Sequence, residues 1–172
     1  GLTPSQYAIA FSVNAVSFFA ASQLNGVLGA RFGLRRVVKM AVTGFAVSMV
    51  ALLAVILLGY QSLYVMAAFL FVGYGFLGLV IPTTAVLALE DYGEIAGTAS
   101  ALMGTLQFVI GGLAIAVTSA VFDGSPLPIV AGIAACAVLA FIIAMIALSS
   151  KTQPAETALT ETKVAETEPA IV

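Results

Sequence analysis

Apolar residues fill this chain in blocks too long for a soluble core and too uniform for a sheet. No Asp, Glu, Lys, Arg or His lies between Gly1 and Ala30, Met40 and Leu89, Ile95 and Phe122, or Gly124 and Ser150. A membrane span needs about 20 such residues, so each block holds one and the second holds two. Gly, Pro and charged residues punctuate the blocks into five predicted helices, near 5–29, 37–59, 62–89, 95–120 and 127–149. Lipid offers the backbone no hydrogen bonds, which leaves only helices or a closed barrel, and the alternating pattern of barrel strands is absent. The expected fold is all-α and polytopic, with a transmembrane bundle over 1–149 and a tail over 150–172.

The faces of these helices differ. At about 100° per residue, Asn14, Ser17, Ala21 and Asn25 fall on one narrow stripe of the first helix. Gly97, Ser100, Gly104, Gln107, Gly111 and Thr118 share a sector of roughly 80° on the fourth. The first stripe should face protein or water. The small residues of the second, Gly97, Gly104 and Gly111 among them, suit close helix packing. Asn14 and Gln107 are either interhelical hydrogen-bonding groups or part of a ligand-facing surface. The third helix carries Gly73, Gly75 and Gly78 before Pro82, which predicts weakening and a bend toward its end. The second and fifth helices are almost free of polar side chains and should meet lipid over much of their surface.

Composition agrees: 62% of the 172 residues are hydrophobic and 8% charged, against roughly a quarter charged in soluble domains. The charge that exists is placed unevenly. Four of the six basic residues, Arg31, Arg35, Arg36 and Lys39, stand between the first and second helices, whereas the turn near 59–61 and the loop "FDGSPLP" hold neither Lys nor Arg. The positive-inside rule puts this basic loop in the cytoplasm. The chain start then faces outside, while "EDYGEIAG" and the tail are cytoplasmic, and Glu90, Asp91 and Glu94 are candidate partners for the basic loop. The tail, "KTQPAETALTETKVAETEPAIV", holds four of the eight acidic residues and no aromatics. It cannot bury enough apolar surface to offset its ordering entropy, and is expected to be disordered. The chain opens on Gly1 a few residues before a span, without a signal-peptide n-region, and reads as a piece of a longer protein.

Candidate chemistry is sparse. No span interior carries an ionisable group for a proton relay, and no nucleophile with a base, metal-ligand cluster, cofactor motif or phosphate loop is present. Cys136 stands alone, and there is no nucleic-acid footprint. The pattern points away from an enzyme and predicts no metal site and no cofactor.

The basic loop has a further pattern. Gly26, Arg31, Gly33, Arg35 and Arg36 in "GVLGARFGLRR" resemble the loop signature G-x-x-x-D-R-x-G-x-R-R of the major facilitator superfamily, with Ala30 where the signature has Asp. A degenerate copy of that loop occurs in the second half of such transporters, between the eighth and ninth helices. "GLTPSQYAIAFSVNAVSFFAASQLNGVL", "FVGYGFLGLVIPTTAVLALE" and "GEIAGTASALMGTLQFVIGG" are similar to bacterial drug:proton antiporters of the bicyclomycin/chloramphenicol resistance type.

This resemblance, over residues 1–149, implies the eighth to twelfth helices of a twelve-helix transporter in the bacterial inner membrane. It implies a multidrug efflux and antibiotic-resistance role, with small-molecule substrates and protons exchanged by alternating access. The partners implied are membrane lipid and the amino-terminal half of the same protein, which would carry the proton-coupling carboxylate. Asn14, Ser17, Tyr74, Gly78 and Gln107 become candidates for the substrate cavity or the contact between halves, with Pro82 as a kink. Two alternatives stay open at this point: a transporter of the superfamily for a metabolite, and a non-transporting five-helix interaction protein.

Overall fold

A computed structural model describes residues 4–60, 62–90, 92–121 and 124–150; the expected disordered tail from Lys151 onward lies outside them. The described residues form α1 (Pro4–Gln23), α2 (Asn25–Phe32), α3 (Leu34–Leu57), α4 (Leu63–Leu89), a 3-10 turn (Gly93–Ile95), α5 (Ala96–Ala120) and α6 (Leu127–Ser150). No strand occurs among them. Helices α3 to α6 are each long and apolar enough to cross a membrane, while the apolar part of α1, Ala8–Gln23, is shorter. The protein is an all-α polytopic membrane protein.

The expected first helix is interrupted. Leu24 separates α1 from α2, its N–H bonding back three residues to the Ala21 carbonyl at 3.0 Å. The chain then turns from α2 into α3 within a single residue. Gly33, with φ 81° and ψ 139°, occupies backbone space that side chains rarely tolerate. The basic segment is therefore not an extended loop: Arg31 lies in the last turn of α2, Arg35 and Arg36 lie in the first turn of α3, and Lys39 follows in the next. One reversing glycine removes the need for a connecting loop.

Helix α3 is the centre of the bundle, packed between α4 and α6. Val38, Val42, Ala46, Met49, Leu52 and Ile56, spaced by three and four, line its buried face, with Leu52 0% exposed. On α6, Val130, Ala134 and Ala137 complete the core, and the small alanines let the two helices approach. The expectation of broad lipid contact therefore needs correction for α3: Val47, Val50 and Leu57 are exposed, but the opposite face is the core. An apolar side chain suits lipid and a packed interior equally, so composition did not separate the two faces.

Helices α3 and α4 lock reciprocally. The Phe76 ring from α4 occupies the space a side chain at Gly44 of α3 would need, and the Met49 methyl from α3 occupies that space at Gly73 of α4. The glycines expected to weaken α4 are sockets for neighbouring helices, and α4 runs as one helix through Pro82. Helix α5, by contrast, buries no residue. It touches α4 and α6, the latter where Thr118 sits against Gly132.

Candidate functional site

Two features gather polar chemistry in this apolar bundle. The first is the seam between the α1–α2 pair and α4. Ser17, 9% exposed, donates its hydroxyl to the Phe71 carbonyl at 2.7 Å. At the next residue of α1, the Phe18 backbone lies so close to Gly78 that a Cβ there would collide with its carbonyl oxygen. At the start of α2, Asn25 Nδ2 donates to the Gly78 carbonyl at 3.0 Å, and Asn25 Oδ1 accepts from the Thr83 hydroxyl at 2.9 Å. Buried polar groups in lipid need such partners, because no water replaces them. Two of the four residues on the predicted α1 stripe, Ser17 and Asn25, bond across this seam, so the stripe faces protein along its α2 half.

The second feature is an open cavity of about 550 Å³ at the basic end, lined by α3, α4 and α6. Val38, Val42, Val80, Leu87 and Ile143 make its wall apolar, and Arg35 and Glu90 supply charge at its rim. Each charge opposes the macrodipole of its own helix: Arg35 is a cation in the first turn of α3 and Glu90 an anion at the end of α4. Because α3 and α4 are antiparallel neighbours, each charge is complemented by the terminus across the cavity. Of the other acids expected to face the basic residues, Asp91 lies outside the described residues. Arg31 stacks its guanidinium over the Phe32 ring at 5.5 Å.

The sequence-derived candidates are not gathered at one point. Ser17 and Gly78 meet in the α1–α4 seam, and Asn14 and Tyr74 are half-buried on the same two helices. Gln107 is exposed on α5, away from that seam. Gly97, Gly104 and Gly111 have no neighbouring heavy atom within 4 Å of where a Cβ would stand, and neither has Gly26. Neither the 550 Å³ cavity nor a second of about 380 Å³, between α3 and Phe141 of α6, is lined by Asn14, Ser17, Tyr74, Gly78 or Gln107. No group of three or more His, Cys, Asp or Glu among the described residues could hold a metal ion.

Asn25 and Thr83 were not among the candidate site residues. A signal for them existed: Pro82 lacks an N–H, so the carbonyl four residues earlier, at Gly78, must find a donor elsewhere. The sequence did not say which amide would reach it.

No protein-family model matches the chain, and no solved structure matches it. It is similar to YdgK of Bacillus subtilis (strain 168), described as an uncharacterized MFS-type transporter, at 27% identity over 113 residues. The match covers 66% of this chain and 28% of that protein, so the chain spans little more than a quarter of the curated relative's length.

Proposed function

We propose that this chain is the carboxy-terminal part of a major facilitator transporter that exports drugs or similar small molecules in exchange for protons. The observation that carries the reading is a coincidence: the Gly-Arg signature falls on a tight α2–α3 corner in a chain similar to an MFS-type transporter. In this reading α1–α2, α3, α4, α5 and α6 are the eighth to twelfth helices, and the basic end is cytoplasmic, in the bacterial inner membrane. The amino-terminal half packs on α1 and α5, whose exposed Phe11, Phe19, Leu102 and Phe108 offer apolar surface for it. That half also supplies the coupling carboxylate, since no Asp or Glu lies in the interior of the spans here.

The arginines at the corner hold topology by charge and make contacts at the cytoplasmic end that form in one state of the transport cycle and break in the other. Asn14 and Gln107 face the substrate or the opposing half. A transporter for a metabolite shares every one of these features and differs only in substrate.

The test uses the complete coding region in a host stripped of its own exporters. Raised tolerance to several antibiotics, with drug accumulation in inverted vesicles driven by a proton gradient, is the expected result. Altered substrate preference in Asn14→Ala or Gln107→Ala, and lower transport at unchanged expression in Arg35→Ala or Arg36→Ala, would assign those residues. Proton-independent uptake of one metabolite with no change in drug tolerance would favour the metabolite carrier and overturn drug export.

A further inference from the structure

Two interruptions of helical hydrogen bonding lie side by side in this fold, and one side chain spans them. In α4, Pro82 has no N–H to give to the Gly78 carbonyl. In the neighbouring pair, the break at Leu24 leaves Asn25 as the first residue of α2. Asn25 Nδ2 donates to that Gly78 carbonyl at 3.0 Å, filling the position of the absent proline bond. The other end of the same amide accepts from Thr83 at 2.9 Å. The hydroxyl of Thr83, a residue 2% exposed, also lies 2.7 Å from the Leu79 carbonyl, so its one proton serves two acceptors. The carbonyl and hydroxyl that the Asn25 amide engages thus flank Pro82.

We infer that Asn25 is a latch: it substitutes for the hydrogen bond that Pro82 removes, and so couples the Pro82 turn of α4 to the break between α1 and α2. While it is closed, Thr83–Leu89 of α4 and the α2 helix move as one piece at the basic end of the bundle. When it opens, the Gly78 carbonyl is left in an apolar seam without a donor, and the turn around Pro82 loosens. Tight packing just before the Pro82 turn, where Phe18 covers Gly78, keeps the preceding part of α4 fixed against α1. Asn25 is a positioning residue in this scheme and touches no substrate.

The coupling is tested by hydrogen exchange and thermal unfolding of the purified protein in lipid nanodiscs, in two backgrounds. Asn25→Ala should speed amide exchange in the 79–89 segment by about fivefold, the factor an ordinary hydrogen bond corresponds to, and leave α6 unchanged. In a Pro82→Ala background the backbone N–H is restored, so the same Asn25→Ala change should have little effect there. Thr83→Val, which keeps the bond to Gly78, should loosen the segment less than Asn25→Ala does. If Asn25→Ala destabilises every helix, the comparison of unfolding midpoints still decides, because the latch requires a much smaller loss in the Pro82→Ala background. Equal losses in both backgrounds, or unaltered exchange in 79–89, would overturn the inference. These measurements read backbone opening and not transport, so a failed latch and a failed transporter reading give different results.

Discussion

At Gly78 three constraints meet on one residue. Its missing side chain admits the Phe18 backbone, its carbonyl is orphaned by Pro82, and Asn25 supplies the donor. Gly78→Ala forces α1 away from α4, because the added methyl meets a backbone carbonyl that has no rotamer to change. The expected loss is about 1–3 kcal/mol, in the range of overpacked cores, read as a lower unfolding midpoint in detergent. Gly26→Ala, at an exposed position of α2 with no atom within 4 Å, should leave that midpoint unchanged or raised, since alanine is the better helix former by about 1 kcal/mol. Ser17 shows why such roles are hard to read one residue at a time. Its place on a polar stripe was legible from the 100° repeat, but the Phe71 carbonyl it bonds lies 54 positions away in the chain. Only packing brings the two together.

Among the elements, the α2–α3 corner is the most exacting. Gly33 is the residue on which the reversal depends, since at φ 81° and ψ 139° another residue costs about 1–3 kcal/mol in strain. Gly33→Ala should therefore shift Arg35 and Arg36 relative to α4. Spin labels at Arg31 and Glu90, with Cys136 replaced, should report a changed or broadened distance, whereas Gly26→Ala should not move it. The corner glycine was legible as part of a repeated Gly and Arg spacing. That the arginines would ride on helices was not, because a positive φ at one position cannot be read from residue type alone. Helix α3 teaches a related lesson. Its uniform apolarity located it in the membrane, yet the three-and-four spacing of Val38, Val42, Ala46 and Met49 became meaningful only once Gly73 of α4 and Ala134 of α6 were seen to receive it.

In the molecule as a whole, α5 is the least committed helix. Phe108 is 84% exposed, and no residue of the helix is buried, although its polar and small residues form one sector. If α5 packs on another half of a longer protein, a spin label at Phe108→Cys on a Cys136→Ala background, in lipid bilayers, should collide freely with dissolved oxygen in the isolated chain. In the complete protein that collision rate should fall several-fold, because a packed interface excludes the oxygen that lipid admits. Equal oxygen accessibility in both would leave α5 facing lipid. The sequence by itself determined that there are long charge-free helices, since lipid permits no other form for such blocks, and that basic charge collects at one corner, since charge is expelled from the bilayer. Only the tertiary structure decided which apolar face is core, which glycine is a socket, and which amide answers Pro82. In a chain this uniformly apolar, those choices depend on the shape of the neighbouring helix, and no contrast of polarity along the chain records that shape.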